Sequence, residues 1–321
     1  MSRLAVPATP ETEVRTGLVY GLAAYLAWGL SPLYFKSVRT VSPLEIAAHR
    51  VVWSVLLLLG VAVLAKRLPP LRQWASSPRR LGVYALTTLL IAGNWLIYIW
   101  AVNGGRLLEA SLGYFINPLV NVLLAVLFLG ESLNRRQVFA VMLAGAGVLV
   151  LVAGLGQFPW VSLTLAFSFG FYGLVRKRAR VDPVVGLLAE TALLLPVAAL
   201  FLGITAAKGV GAFAQGDGRM RLLLALSGVV TAIPLVWFME GARRLRLSTL
   251  GLLQYLAPTS QFLLAVYLYG ERFTPAHAVA FSCIWASLAV YSADAFGRSR
   301  RASSPRLSPA SAVQPAASRP K

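Results

Sequence analysis

The segment PLVNVLLAVLFLGE, Pro118–Glu131, is repeated 140 positions later as PTSQFLLAVYLYGE, Pro258–Glu271. Seven of the fourteen aligned residues are identical, including the central Leu-Leu-Ala-Val and the final Gly-Glu. The same offset aligns Pro43 with Pro183. A repeat of this length is far longer than a solenoid unit. In a strongly apolar chain, an internal duplication is typical of transporters that are built from two related halves.

The composition indicates that most of the chain is not exposed to water. The chain has 321 residues, of which 58% are hydrophobic and 13% charged, and its mean hydropathy is +0.71. A soluble domain has about 25% charged residues. The net charge of +19 raises the alternative of a nucleic-acid-binding protein, whose basic residues gather on one face beside base-reading partners. Here they lie in short loops between apolar runs, which favours a membrane protein.

Ten apolar runs approach the length of about 20 residues that a membrane helix needs. The runs span residues 17–35, 43–65, 81–102, 111–129, 138–154, 159–175, 183–203, 222–240, 250–269 and 275–293. The sequence therefore predicts an all-α integral membrane protein with ten transmembrane helices, five in each repeat.

The runs also divide the chain into four predicted segments. These are a cytoplasmic N-terminal segment (1–16), a first repeat with helices 1–5 (17–154), a second repeat with helices 6–10 (155–297) and a cytoplasmic tail (298–321). The N-terminal segment lacks the pattern of a cleavable signal peptide. The tail consists mainly of Arg, Ser, Pro and Ala, which predicts disorder.

The loops predict the orientation, because Lys and Arg concentrate in cytoplasmic loops. With the N-terminus inside, the cytoplasmic segments hold 22 of the 30 Lys and Arg residues and the outer loops hold 7, while Arg50 lies within a helix. This bias predicts that both termini are cytoplasmic. Since five is odd, the second repeat then enters the membrane from the opposite side. Inverted repeats usually place the substrate site near the midplane, between halves that rock to alternate access.

The fourth helix of each predicted repeat contains one proline, Pro118 in the first repeat and Pro258 in the second. Pro118 cannot donate to the carbonyl of Tyr114, nor can Pro258 donate to that of Gln254. In lipid, such a freed carbonyl needs another partner or a wet cavity. The pair therefore predicts two symmetry-related helix kinks beside a cavity, with a role in helix packing alone as the alternative.

Five strings carry a resemblance to a known family. They are AYLAWGLSPLYFK (Ala24–Lys36), AHR (Ala48–Arg50), NWLIYIWAVN (Asn94–Asn103), EASLGYFINPLVN (Glu109–Asn121) and STLGLLQYLAP (Ser248–Pro258). The sequence resembles RarD-type permeases of the drug/metabolite transporter superfamily, which have two EamA-type repeats, over about residues 17–293. The resemblance implies a ten-helix bacterial inner-membrane protein with inverted halves, which carries small molecules without hydrolysing nucleotides.

Ionisable side chains inside the predicted helices are candidates for function, because each costs about 2.5–3.5 kcal/mol at a helix centre. Glu45, His49 and Arg50 lie on helix 2, where the i, i+4 spacing puts Glu45 and His49 on one face. A carboxylate beside an imidazole could bind a cation or relay a proton. The alternative for Glu45 and Arg50 is that both snorkel to the outer surface.

Glu190 occupies the position in the second repeat that is equivalent to Arg50. At 1.5 Å per residue, the two residues lie about 10 Å deep from opposite faces of a core about 30 Å thick. This separation predicts local partners or a solvated cavity for each, rather than a direct ion pair. Glu190 is the deepest carboxylate and the first candidate for proton coupling, followed by Glu45; a structural hydrogen bond is the alternative.

Two further carboxylates, Glu131 and Glu271, follow a glycine at the end of the fourth and ninth helices. A carboxylate next to a helix start interacts favourably with the positive end of that helix. Both are therefore assigned a structural role at the start of the next helix.

Polar and aromatic residues complete the candidate substrate site. Helical spacing groups them on faces of helices 3, 4 and 9, and an indole on helix 1 could stack on an aromatic or cationic ligand. The predicted substrate-binding residues are Trp28, His49, Arg50, Asn94, Tyr98, Tyr114, Asn117, Asn121, Gln254 and Gln261. Each of them alone is also typical of helix packing.

Motifs of other function classes are missing from the sequence. It contains no G-x-x-x-x-G-K-[ST], H-E-x-x-H or G-x-S-x-G motif, and its single cysteine, Cys283, rules out a disulfide framework. We therefore predict no catalytic residue, metal, cofactor, nucleotide or nucleic-acid partner; the predicted partners are a small-molecule substrate and the lipid bilayer. The predicted function is secondary transport of a metabolite or drug-like molecule, with proton coupling left open. The alternatives are a membrane-embedded enzyme acting on lipid or lipid-linked substrates, and a channel.

Overall fold

The computed structural model describes residues 10–64, 77–130, 132–179, 183–245, 249–250 and 253–303. Within these ranges the ordered elements are helices, without a β-strand. The ten longer helices are α1 Pro10–Ser37, α2 Pro43–Leu64, α3 Pro78–Asn103, α4 Leu107–Leu129, α5 Arg135–Leu155, α6 Trp160–Ala179, α7 Pro183–Ala207, α8 Gly218–Arg244, α9 Leu256–Leu263 and α10 Pro275–Ser303. Five of them begin at a proline, whose missing N–H is not needed in the first turn of a helix.

Eight of these helices are long and apolar enough to cross a membrane, so the described residues form a multi-pass all-α membrane protein. The other two are α6 and α9. The last turn of α6 carries Arg176, Lys177 and Arg178, which lower its hydropathy. Helix α9 continues as the π-helical turn Leu264–Leu268, and the two together form a shorter apolar helix.

Both terminal helices are longer than the apolar runs that predicted them. Helix α1 begins at Pro10, and Glu11 and Glu13 in its first turn favour the positive helix end. Helix α10 continues to Ser303, into the tail that the composition predicted to be disordered. Helices usually end at or before the residue that precedes a proline, and the first proline after the start of α10 is Pro305. The remaining tail and residues 1–9 lie outside the described residues.

The two helices that carry the repeated prolines differ from each other. Helix α4 continues through Pro118 as a single helix. In the second copy, a turn at Gln254 and Tyr255 precedes α9, so the predicted run 250–269 is interrupted. The turn includes Gln254, whose carbonyl would accept the hydrogen bond that Pro258 cannot donate.

The contacts between helices follow the internal repeat, in which α1 corresponds to α6, α2 to α7, and so on to α5 and α10. Each main contact between the two repeats has an equivalent contact between the corresponding helices. Helix α1 packs on α8 and α9, and α6 packs on α3 and α4. Likewise α2 packs on α8, α7 packs on α3, and the equivalent pairs α2–α7 and α5–α10 are in contact. We refer to α1–α5 as the first half and to α6–α10 as the second half. The helices of the two halves thus have equivalent principal neighbours.

Small residues allow these helices to approach closely. A Cβ added to Gly228 on α8 would lie 2.5 Å from the carbonyl carbon of Trp53 on α2. A Cβ added to Gly113 on α4 would lie 2.7 Å from the carbonyl oxygen of Ser162 on α6. Such contacts are typical of membrane helices, where small side chains let two backbones pack together.

Glu271 has a structural role, although not at the helix that the sequence predicted. Its two carboxylate oxygens accept hydrogen bonds from the backbone N–H groups of Leu107 (2.8 Å) and Leu108 (2.7 Å), at the start of α4. Helix α10 is capped instead by Thr274, whose hydroxyl accepts from the N–H of His277. Glu271 thus joins the end of α9 to the start of α4. Glu131 lies outside the described residues.

Candidate functional site

A cavity of about 410 Å³ lies between the two halves and is lined by helices of both. Eight of the ten predicted substrate-binding residues are in its wall, and Pro258 lines it as well. Those eight residues are Trp28, Arg50, Asn94, Tyr98, Tyr114, Asn117, Gln254 and Gln261.

Asn121 and Pro118 on α4 are not in the wall of the cavity. Asn121 is exposed, and its amide donates to Oδ1 of Asn117 (3.1 Å). Asn117 in turn donates to the carbonyl of Ala166 on α6 (3.0 Å). The polar face predicted for α4 therefore splits between the cavity and the contact with α6.

His49 and Glu45 lie outside the cavity wall too, beside the four-residue helix Ala212–Gln215. His49 is 5% exposed, its ring centroid is 5.2 Å from that of Phe213, and its Nε2 lies 4.0 Å from Oε1 of Glu45. Glu45 accepts a hydrogen bond from the backbone N–H of Ala212 (2.6 Å). Glu45 therefore has a partner within the protein and does not snorkel. Neither ring nitrogen of His49 has a hydrogen-bond partner among the described residues.

Arg50 is directed into the cavity rather than toward the outer surface. Its Nε donates to Oγ1 of Thr231 (2.6 Å), and its Cζ lies 4.1 Å from the centroid of the Trp95 ring. The Thr231 hydroxyl is itself anchored, since it donates to the carbonyl of Ser227 (2.8 Å). Among the described residues, no carboxylate oxygen lies within 4.0 Å of the Arg50 guanidinium.

Glu190 has local partners on α6, and Arg50 is not among them. Its side chain is fully buried, one carboxylate oxygen accepts from the Tyr172 hydroxyl (3.0 Å), and Nη1 of Arg176 is 3.8 Å away. Arg176 also donates to the Tyr172 hydroxyl. The predicted run 159–175 ended before Arg176, whereas α6 extends to Ala179 and includes Arg176, whose side chain is 14% exposed. The buried carboxylate of Glu190 explains how this cation is held beside the cavity.

The remaining polar groups of the wall are mostly used to join helices. Asn94 on α3 donates to the carbonyl of Leu165 (3.0 Å) and to the hydroxyl of Ser168 (2.9 Å) on α6. Gln261 on α9 donates to the carbonyl of Trp28 on α1 (3.2 Å). Its Oε1 is buried without a partner among the described residues, so it remains available as an acceptor.

Aromatic rings form much of the rest of the wall. Trp28 packs against Tyr25 and Phe238, with ring centroids 5.5 Å and 5.6 Å apart. Tyr98 packs against Tyr114 at 5.7 Å. These five rings all line the cavity, so its surface is largely apolar and aromatic.

Several wall residues were missed by the sequence reasoning. They are chiefly Trp95, Tyr172, Arg176, Thr231 and Phe238. Tyr172 and Arg176 are spaced i, i+4, which places both on one helix face, and this signal was available in the sequence. Trp95 follows Asn94 directly, but a position next to a candidate does not predict the same face.

Comparison with known proteins identifies the family. Two stretches of the chain, residues 15–153 and 159–293, match the EamA-like transporter family. This chain belongs to the EamA-like transporter family. The two EamA repeats that the resemblance implied are thereby confirmed.

Several related proteins align with almost the whole length of this EamA-family chain. Protein RarD of Escherichia coli K12 is 46% identical over 291 residues, which are 91% of this chain and 98% of that protein. An uncharacterized transporter of Vibrio cholerae is 46% identical over 287 residues, 89% and 95% of the two chains. The chloramphenicol-sensitive protein RarD of Pseudomonas aeruginosa is 35% identical over 273 residues, 84% and 91%. The predicted resemblance to RarD-type permeases is confirmed.

A solved crystal structure also shares the fold. It has a TM-score of 0.54 and 23% sequence identity, and the match covers 86% of this chain and 96% of that one. Together with the apolar helices, the family relationship makes the chain a multi-pass membrane transporter.

Proposed function

We propose that this EamA-family protein is a secondary transporter that moves a small metabolite or drug-like molecule across the bacterial inner membrane by alternating access. The observation that carries this proposal is the cavity of about 410 Å³, whose wall is shared by the two halves. A site between two related halves is what rocking of one half against the other exposes alternately to each side.

The proposed arrangement is an inverted repeat of five helices in each half, with both termini in the cytoplasm and a boundary between residues 154 and 155. The contacts between helix ends support it. Glu271 at the end of α9 meets the start of α4, and Glu45 at the start of α2 meets Ala212, all of which the topology assigns to the outer side. On the predicted cytoplasmic side, Nε of Arg244 at the end of α8 donates to Glu13 near the start of α1 (2.9 Å).

Glu190 is the proposed proton-coupling residue. It is a fully buried carboxylate, and it contacts the cavity-lining residues Tyr172 and Arg176. A proton on Glu190 removes the negative charge that compensates Arg176, so protonation changes the charge of the cavity wall. An intramembrane carboxylate that pairs with a cation is typical of proton relays.

The predicted result for Glu190→Gln is an uptake rate that no longer varies with pH, because glutamine cannot gain or lose the proton. The measurement is uptake into proteoliposomes over a range of external pH. Glu13→Gln serves as the control, since Glu13 also pairs with an arginine but its side chain is 49% exposed; it should retain the pH dependence of the wild type. A pH profile in Glu190→Gln that matches the wild type would contradict proton coupling at this residue.

Transport itself is tested with the substrate that a metabolite comparison between a deletion strain and an overexpressing strain identifies. In sealed proteoliposomes, a secondary transporter exchanges labelled for unlabelled substrate, shows counterflow and leaves the substrate chemically unchanged. A converted product would indicate the membrane-embedded enzyme, and flux without saturation or counterflow would indicate a channel. Either result would overturn the proposal.

A further inference from the structure

We propose that the cavity binds a small organic monoanion, with its carboxylate on Arg50 and its flat apolar part against the aromatic wall. This inference rests on the proposed transport function, because it names the substrate class of the same cavity. It follows from the charges in the wall, the orientation of Arg50 and the chemistry of the remaining surface.

The charges in the wall favour an anion. Among the described residues, the charged side chains that line the cavity are Arg50 and Arg176, both cationic. Arg176 is compensated by Glu190, whose carboxylate is 3.8 Å away. Arg50 has no described carboxylate within 4.0 Å. One uncompensated positive charge therefore remains, which matches a carboxylate better than a phosphate monoester with its charge of about −1.5 to −2.

The guanidinium of Arg50 is held in a fixed orientation. Its Cζ lies over the ring of Trp95, 4.1 Å from the centroid, and its Nε donates to Thr231. The two terminal amino groups donate to none of the described residues. A guanidinium that lies over an aromatic ring and keeps its terminal N–H groups available can bind a planar carboxylate through two parallel hydrogen bonds.

Because Arg50 is directed into a cavity inside the protein, its positive charge is unfavourable without an anionic partner. A charge taken out of water is costly unless it is paired and hydrogen-bonded. Intramembrane arginines almost always face a protein interior or water-filled cavity and mark substrate or ion pathways. A substrate carboxylate would supply the acidic partner that the described residues do not provide at Arg50.

The rest of the wall favours a flat apolar body. Trp28, Phe35, Tyr98, Tyr114 and Phe238 surround the cavity, and aromatic rings pack well on one another in offset or edge-to-face geometry. The volume of about 410 Å³ is near the lower end of the roughly 300–1,000 Å³ of ligand pockets. The site thus fits a small aromatic carboxylate.

The test uses three probes that share one ring and one chain length and differ in their end group: 3-phenylpropionate, 3-phenylpropan-1-ol and 3-phenylpropylamine. Binding to the purified full-length protein in detergent is measured by calorimetry. We expect the carboxylate to bind about 10- to 100-fold more tightly than the alcohol, the effect of a charge-assisted hydrogen bond, and the amine to bind no better than the alcohol.

Variants of Arg50 then test whether this residue causes the preference for the carboxylate. Arg50→Gln should reduce the affinity for 3-phenylpropionate to that for the alcohol and leave the affinity for the alcohol unchanged. The affinity of Arg50→Lys for 3-phenylpropionate should lie between those of the wild type and Arg50→Gln, because a lysine keeps the charge but not the planar guanidinium. Arg39→Gln is the matched control: Arg39 is exposed, and its replacement should leave all three affinities unchanged.

The proposal is overturned if the alcohol or the amine binds as tightly as the carboxylate, if Arg50→Gln retains the wild-type affinity for the carboxylate, or if the carboxylate does not bind at millimolar concentration. If Arg50→Gln fails to fold, the order of affinities of the three probes for the wild-type protein is sufficient to test the proposal. The transport proposal fails in a different experiment: proteoliposomes would show no counterflow, whatever the order of affinities for the three probes.

Discussion

Glu190→Gln is expected to lower the free energy of unfolding by about 3–5 kcal/mol, the cost of removing one partner of a buried ion pair. The reason is that Arg176, with its side chain 14% exposed, would lose the carboxylate that lies 3.8 Å away. The measurement is the midpoint of unfolding in detergent, followed by size-exclusion chromatography at increasing temperature.

The double variant Arg176→Gln/Glu190→Gln separates this effect from a general loss of packing. Without the buried cation, most of the lost stability should return, because an ion pair replaced as a whole leaves no uncompensated charge. Arg243→Gln is the control, since Arg243 pairs with Glu240 but its side chain is 62% exposed; its midpoint should stay close to that of the wild type. Equal midpoints for Glu190→Gln and the wild type would contradict the buried pair.

Gly228→Ala is expected to destabilise the protein by about 1–3 kcal/mol, the range for overpacking a tight contact. The added Cβ would lie 2.5 Å from the backbone carbonyl carbon of Trp53, so α8 and α2 would have to move apart. Because helix propensity alone would favour alanine over glycine, a loss of stability has to come from this helix contact. The same unfolding midpoint measures it.

Gly145→Ala on α5 provides the matched comparison for that substitution. A Cβ at Gly145 would meet no described atom within 4 Å, so the midpoint should stay the same or rise, as expected for glycine-to-alanine changes within helices. If both alanine variants were equally stable, the close approach of α8 to α2 would be wrong.

The membrane class and the duplication could be predicted from the sequence because both depend on local patterns. A run of about 20 apolar residues has few alternatives to a membrane helix. The Leu-Leu-Ala-Val core of the repeated segment needs no structure to be recognised. The helix faces that carry Asn94, Tyr98 and Tyr114 were also predictable, because helical spacing alone groups such residues.

The limits of the sequence reasoning lie in contacts between distant helices. Asn121 has the same spacing from Asn117 as Tyr98 has from Asn94, yet it is exposed, because the neighbours of α4 decide which part of its polar face meets the cavity. Arg176 fell just outside the predicted run 159–175, because a charge ends an apolar run. Its partner, Glu190, belongs to another helix and gives no signal at position 176.

The hydrogen bonds of Glu271 also depend on a contact between helices that are distant in sequence. Its position just before a helix start correctly predicted that it stabilises a helix N-terminus. Which helix it caps depends on the packing of the end of α9 against the start of α4, more than 160 residues away in sequence. The equivalent positions Arg50 and Glu190 carry opposite charges, so the repeat also did not predict which of them would lie in the cavity wall.

The central claim, that two related halves lie inverted in the membrane around a shared cavity, is tested most directly by labelling the starts of α1 and α6. Cys283 is the only cysteine, so Glu11→Cys and Gln157→Cys can each be placed in a Cys283→Ala background; both positions are exposed. A membrane-impermeant maleimide should label Gln157→Cys on intact spheroplasts and Glu11→Cys only in inverted vesicles. If both cysteines react from the same side, the halves are not inverted and the account is wrong.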